Sequence, residues 1–288
     1  MTWILFAFLT AIFRSLTDVA GKIGLRNMDE YIVAWALNFF ALPLLLPLLF
    51  FIEIPEITPG FWLAICISGL LNIATAILYL KAIKLADLSL VIPLSTFTPL
   101  FLLITSPVIL GEFPNIFGLA GIFLIVFGSY ILNIKEKRNG FFAPFKALLN
   151  NKGAQLMLLV AFIWSISSNF DKIGLQNSSP IFYGIIVNIF ITIGITPFVL
   201  IKSKNKLKQI PKNLKSLIPV GLFHGLMMIF HMIAISMTLV AYLISIKRTS
   251  AILSVLFGAL IFKEKGLQER ILGAIIMILG VLCITLFK

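Results

Sequence analysis

Apolar runs of roughly 20 residues follow one another along almost the whole chain, and a helix of that length crosses the hydrocarbon core of a bilayer. The composition agrees, because 60% of the residues are hydrophobic and 12% are charged, which is too little charge for an ordinary soluble surface. The sequence predicts an all-α integral membrane protein with ten transmembrane helices, over residues 2–23, 31–52, 60–80, 86–110, 115–134, 153–173, 180–202, 216–237, 240–262 and 268–287.

An internal repeat further restricts the fold. The segment DVAGKIGLRN at 18–27 recurs as SNFDKIGLQN at 168–177, and the correspondence continues from Asn38 to Asn188 and, after two extra loop residues, through the later helices. Each copy holds five spans, an odd number, so the second copy must enter the membrane from the opposite side. We expect two inverted five-helix repeats, at 1–134 and 153–288, joined by a basic loop at 135–152.

Each copy also ends its fourth span with a similar motif, TPLFLLITSPVILGE in the first and AILSVLFGALIFKE in the second. Glycine-spaced helices, GLAGIFLIVFG and GAIIMILG, follow. Together these motifs resemble the EamA domain of the drug/metabolite transporter superfamily over nearly the whole chain. The second copy departs from the pattern, with Ala251 in place of Pro99 and Lys263 in place of Gly111.

The resemblance implies alternating-access transport of small metabolites or drugs, often export, around a cavity lined by spans 1, 3, 4, 6, 8 and 9. We expect a multi-pass protein of the prokaryotic cytoplasmic membrane that takes a small-molecule substrate, as a monomer or homodimer. No cofactor or metal is expected, since neither cysteine belongs to a CxxC or Cys/His cluster. An intramembrane enzyme is the alternative of another class, but HExxH, GxSxG and GxxxxGK[ST] motifs are absent.

Basic residues concentrate in the loops of one side. The odd-numbered loops hold most of the 23 basic residues, whereas the opposite side has only Lys172 and Lys288. The positive-inside rule then makes the odd loops cytoplasmic and puts both termini outside. Well-known members of the superfamily have cytoplasmic termini, so the resemblance favours the opposite orientation. A nucleic-acid partner is not expected, because topology accounts for the net charge of +12.

Polar side chains inside the spans are candidate substrate contacts, since a charge near the bilayer centre costs about 2.5–3.5 kcal/mol unless it meets water or a partner. Corresponding repeat positions should face the same axis, and the repeat matches Asn72 with His224 and Tyr79 with His231. The predicted substrate-binding residues are Arg14, Asp18, Asn72, Tyr79, Thr96, Trp164, Ser168, His224, His231, Tyr242, Lys247 and Arg248.

Several of these candidates have simpler explanations. Arg14 and Asp18, four residues apart, can neutralise each other within one helix. Lys247 can snorkel to the interface, and Arg248 is rotated from it by about 100°, so we expect one of the two to be structural. The two histidines are either packed core residues or, together with Asp18, candidates for binding a coupling proton.

Four further residues are expected to act in gating or structure. Pro93 and Pro99 should kink the fourth span, and Glu112 and Glu264 end the fourth and ninth spans near opposite faces. The glycines spaced seven residues apart in the fifth and tenth spans most simply permit close helix packing, with a dimer seam as the alternative.

The charges within the spans indicate a substrate class. Asp18 is the one clearly intramembrane acid by this interpretation, and three cations stand against it. That excess favours a solute with an anionic group, such as an amino acid or small carboxylate, with Trp164, Tyr79 and Tyr242 contacting the rest of it. A multidrug exporter of lipophilic cations is the alternative, because ion pairing can cancel the excess.

Overall fold

The computed structural model describes residues 2–85, 94–133, 142, 146, 150–253, 256–257 and 267–286, and all regular structure in these ranges is helical. Pro93 and Glu264 lie outside the described residues. The α-helices are α1 (Thr2–Gly24), α2 (Glu30–Phe39), α3 (Leu42–Leu45), α4 (Pro59–Leu85), α5 (Thr98–Leu110), α6 (Ile116–Asn133), α7 (Lys152–Gln176), α8 (Pro180–Lys202), α9 (Leu214–Met237), α10 (Val240–Arg248) and α11 (Leu267–Leu286).

Six described helical segments are long and apolar enough to cross a membrane, and three shorter apolar helices accompany them. The long segments are Thr2–Gly24, Glu30–Phe50, Pro59–Tyr79, Lys152–Gln176, Pro180–Lys202 and Pro211–Met237. The shorter ones are Thr98–Leu110, Ile116–Leu132 and Ile271–Leu286. The chain is therefore a helical, multi-pass membrane protein, while the number of ten spans stays a prediction.

The second and sixth predicted spans are among those that differ from the helices found. The second is broken after α2 and ends as a 3-10 helix at Leu46–Phe50, because Pro43 and Pro47 start new turns and have no backbone N–H to continue the α-helix. The sixth extends past residue 173 to Gln176. Lys172, counted from the sequence among the charges of one membrane side, lies inside α7 and is buried.

The chain forms two compact units. Unit 1 comprises residues 1–73 and 170–237, and unit 2 comprises residues 74–169 and 238–288. The boundaries fall inside α4 and α7, so each unit contains helices from both halves of the chain. The compact units therefore differ from the predicted repeats, which divide the sequence near its middle.

In unit 1, α1 packs along α9, where the Phe230 ring stacks 5.5 Å from that of Phe13. α2 packs against α8 through a buried asparagine pair, in which Asn188 Nδ2 donates to Asn38 Oδ1 over 3.3 Å. These two asparagines occupy corresponding positions of the sequence repeat. A position and its counterpart in the other copy are thus in direct contact.

In unit 2, α6 and α11 pack backbone to backbone. A Cβ on Gly121 would lie 2.6 Å from the Gly280 carbonyl oxygen, and one on Gly128 would lie 2.7 Å from that of Gly273. The later glycine of one helix meets the earlier glycine of the other, so the helices run antiparallel. The prediction that these glycines permit close packing is confirmed, and the packing lies within one chain.

Candidate functional site

The twelve predicted substrate residues divide between the two units. Unit 1 contains Arg14, Asp18, Asn72, His224 and His231, and unit 2 contains Tyr79, Thr96, Trp164, Ser168, Tyr242, Lys247 and Arg248.

Arg248, the last residue of α10, is the centre of a cluster in unit 2. Its Nη2 donates a 2.7 Å hydrogen bond to Thr98 Oγ1, and its Cζ lies 5.8 Å from the centroid of the Trp164 ring. A guanidinium at this distance from an indole makes a favourable cation–π contact. Two of the predicted substrate residues, from α7 and α10, are therefore in contact.

The Trp164 indole is itself fixed from two sides. Its Nε1 donates to buried Thr75 Oγ1 over 3.1 Å, and its ring centroid lies 5.8 Å from that of Tyr79. The hydrogen bond to Thr75 and the ring contact with Tyr79 therefore restrict rotation of the indole. We call Arg248, Thr98, Trp164, Tyr79 and Thr75 the Arg248 site.

The surroundings of the Arg248 site are apolar. Tyr79 and Trp164 pack against a cluster of fully buried side chains that includes Leu94, Met157 and Val160. A charge interacts more strongly in such a low-dielectric environment than in water. An ion pair formed beside this cluster would therefore be stronger than the same pair in water.

Tyr242, which the sequence predicts to contact the solute, lies apart from the Arg248 site. It lies six residues before Arg248, about 9 Å along the helix. Its hydroxyl accepts from the Asn115 backbone N–H over 3.2 Å, and its ring lies against Gly118. Tyr242 instead positions the start of α6.

The remaining predicted residues of unit 2 lie on α7, just before α5, and on α10. Ser168 Oγ donates to the Trp164 carbonyl over 2.8 Å, one turn back on α7. Thr96 is buried in the turn before α5, and Lys247 is half-buried on α10. Pro99 lies in the first turn of α5, directly after a turn at residues 96–97 that interrupts the predicted fourth span, and its missing N–H breaks no helical bond there.

Glu112 caps the helix that carries Arg248. Its Oε2 accepts a 2.9 Å hydrogen bond from the backbone N–H of Val240, the first residue of α10. A carboxylate at a helix N-terminus satisfies an otherwise unpaired N–H and stabilises the helix dipole. This contact fits the expected structural role of Glu112.

In unit 1 the predicted residues include an ion pair. Arg14 Nε lies 3.1 Å from Asp18 Oδ1, with side chains 33% and 43% exposed, so the local pairing alternative agrees with the geometry. The histidines lie seven residues apart on α9, and His231 is buried whereas His224 is half-buried.

Sequence reasoning missed a second intramembrane acid, Asp171, which corrects the interpretation of Asp18 as the one such residue. Asp171 is buried on α7, and its Oδ1 accepts hydrogen bonds from Ser68 Oγ and from Tyr183 Oη, the latter over 2.9 Å. Predicted Asn72 joins this group, because its Nδ2 donates to Ser68 Oγ over 3.1 Å. The signal was the acid in SNFDKIGLQN, close to the predicted end of the sixth span.

A groove of about 370 Å³ also opens on unit 2. Its lining includes Phe101, Leu158, Leu159 and Phe162, and both Leu159 and Phe162 are exposed. Exposed apolar side chains on a membrane helix suit contact with lipid tails. The groove includes none of the predicted substrate residues, so we assign it no part in solute binding.

Comparison with known proteins finds one family match in each half of the chain. The EamA-like transporter family matches residues 1–134 and again residues 151–286. The chain belongs to this family. The resemblance predicted from the helix-end motifs, and its occurrence in two copies, are confirmed.

One relative of this EamA-family chain and one solved structure of similar fold match it over different shares of its length. An "Uncharacterized transporter in cobO 3'region" from a Sinorhizobium species is 27% identical over 137 residues, which are 46% of this chain and 97% of the relative. A solved structure described as "Crystal structure of protein" has a TM-score of 0.74 and 14% identity, covering 100% of this chain and 97% of its own. At that identity the second relative supports the fold alone. These findings indicate a membrane transporter rather than an enzyme.

Proposed function

We propose that this protein is a secondary transporter that exports a small solute with an anionic group, such as an amino acid or small carboxylate, across the prokaryotic cytoplasmic membrane. The observation that carries the proposal is the Arg248 site. It combines a half-buried guanidinium with two aromatic rings that pack against an apolar cluster.

The chemistry of the Arg248 site suits a carboxylate. Guanidinium has five N–H donors in a rigid fork that matches the two oxygens of a carboxylate, and the bond to Thr98 fixes its orientation. The rings of Trp164 and Tyr79 offer surface for the remainder of the solute. The site therefore provides both a charge anchor and an amphipathic wall.

We also propose that the two copies are inverted and support alternating access. The antiparallel packing of α6 and α11, which are corresponding helices of the two copies, is the arrangement that inversion requires. The contact between corresponding Asn38 and Asn188 is the contact expected beside a two-fold pseudo-axis. Inverted repeats allow one conformation to open on each side of the membrane.

Export of lipophilic cations is the second candidate function. Aromatic faces such as that of Trp164 bind cations well. Arg248, however, already lies over this face, so a cationic solute would have to displace a like charge. The anionic solute is therefore the better electrostatic match.

Counterflow in liposomes tests the proposal. Vesicles containing the purified protein are loaded with unlabelled amino acids and diluted into a trace of the same amino acids in radiolabelled form. We expect transient, saturable uptake of label, which a carrier produces and protein-free vesicles do not. A channel would show non-saturating flux, and an enzyme would convert the label to a new species.

The orientation predicted from the loop charges has its own test. Asn205 is exposed in the basic loop after α8, so Asn205→Cys in a Cys66→Ser, Cys283→Ser background offers one accessible thiol. We expect this thiol to resist an external, membrane-impermeant maleimide in intact cells, because basic loops are retained in the cytoplasm. Labelling before lysis would instead support the orientation that the superfamily resemblance favours.

A further inference from the structure

Asp171 is a buried carboxylate that the Arg248 site does not use. It is 8% exposed and lies five residues before the end of α7. Ser68 on α4 and Tyr183 on α8 both donate to its Oδ1. Because ionisable groups inside membrane spans are costly, each one is a candidate for a functional role.

A glycine on α7 allows the Tyr183 ring to lie close to this carboxylate. A Cβ on Gly174 would lie 2.0 Å from the Tyr183 ring, so glycine is what lets the ring lie against α7. The hydroxyl then reaches Asp171, one turn earlier on the same helix. On the other side, Asn72 donates to Ser68 Oγ, which leaves the serine hydrogen for the carboxylate.

The fold does not require these polar groups. At each of these positions the other copy has an apolar residue, namely Gly21 for Asp171, Val33 for Tyr183 and Val220 for Ser68. Val33 and Val220 surround an equivalent glycine, because a Cβ on Gly24 would lie 3.5 Å and 3.8 Å from them. The same backbone arrangement thus forms with apolar side chains, and packing alone does not explain the carboxylate.

The groups around Asp171 place opposite demands on its charge. Burial penalises the ionised form, whereas the two hydroxyl donors stabilise it. Tyr183 is the titratable neighbour from α8, buried Lys172 follows on α7, and α4 contributes uncharged Ser68 and Asn72. Such a balance suits a carboxyl group that must both take up and release a proton.

We infer that Asp171 binds the proton whose movement drives transport, with Ser68 and Tyr183 as the hydroxyls that stabilise its ionised form. The inference rests on the proposed function. The proton comes from water on one side and leaves to water on the other, and no other bond changes. α4 and α7 continue from unit 1 into unit 2, so a proton at this site acts on helices that both units share.

An infrared titration of the purified protein tests proton binding without any solute. Difference spectra between about pH 5 and about pH 9 should contain a carboxylic-acid band that Asp171→Asn removes. The matched control is Glu56→Gln, which removes an exposed carboxyl group and should leave that band in place. If the Asp171→Asn spectra keep every carboxylic-acid band seen in the wild type, the inference is wrong.

Transport in liposomes tests coupling. With a pH gradient across the membrane, wild type should accumulate a radiolabelled mixture of amino acids, and Asp171→Asn should lose this accumulation. At equal pH, Asp171→Asn should still exchange labelled for unlabelled amino acid, which also shows that the variant is folded. Accumulation by the variant at the wild-type level, or wild-type exchange that no pH gradient drives, would contradict the inference.

The two measurements separate the two proposals. Wild type that exchanges none of the amino acids would contradict the proposed function, while the infrared titration would still decide whether Asp171 binds a proton. A titrating Asp171 in a protein that exchanges solute without proton coupling would contradict the coupling role alone.

Discussion

Alanine in place of Arg248 is expected to weaken binding of an anionic solute by about 30-fold or more, since loss of a hydrogen-bonded charge partner costs about 2 kcal/mol or more. The physical reason is that the solute carboxylate would enter an apolar site with no counter-charge. The measurement is solute affinity of the purified variant, from ligand-dependent thermal shifts in detergent.

Two further variants separate geometry from charge. Arg248→Lys keeps the positive charge but lacks the planar fork, so it should recover only part of the affinity. Lys204→Ala removes one positive charge from an exposed loop and should leave affinity unchanged. Equal losses in Arg248→Ala and Lys204→Ala would mean that the net field, and not the Arg248 site, attracts the solute.

The second large effect concerns helix packing in unit 2. Gly128→Ala would put a methyl group 2.7 Å from the Gly273 carbonyl oxygen, and backbone cannot rotate aside as a side chain does. We expect a loss of about 1–3 kcal/mol, as for other overpacked positions. The loss of stability is measured by heating the protein in detergent and quantifying the folded fraction by size-exclusion chromatography.

Gly21→Ala is the matched control for that substitution. A Cβ on Gly21 meets nothing within 4 Å, and alanine favours a helix over glycine by up to about 1 kcal/mol. The same chemical change should therefore leave stability unchanged or raise it in α1 while lowering it in α6. Equal effects at both positions would contradict the close approach of α6 and α11.

Apolar run length was enough to predict a helical membrane protein, and the helix-end motifs, present in two copies, were enough to predict its family. Pro180–Lys202 matches the predicted seventh span at both ends, because Pro180 starts the helix and the basic residues after Leu200 end the apolar run. The second span was harder, since hydrophobicity alone does not show where Pro43 and Pro47 break an α-helix.

The site was predicted in part. Arg248 and Trp164 were found from the cost of a charge in the membrane and from repeat correspondence, and they do make contact. Tyr242 was also predicted to contact the solute, and a linear sequence does not show that its hydroxyl accepts from the Asn115 backbone N–H. Asp171 was missed because the predicted span ended two residues beyond it, and a charged residue at the end of a span is common.

A thermal-shift screen of purified wild type is the most direct test of an anion-binding Arg248 site, because a solute that binds the folded state raises its apparent stability. The panel contains amino acids, small carboxylates, nucleotide-sugars and lipophilic cations. We predict stabilisation by amino acids or carboxylates that Arg248→Ala abolishes. Stabilisation by lipophilic cations alone, unchanged in Arg248→Ala, would contradict the account.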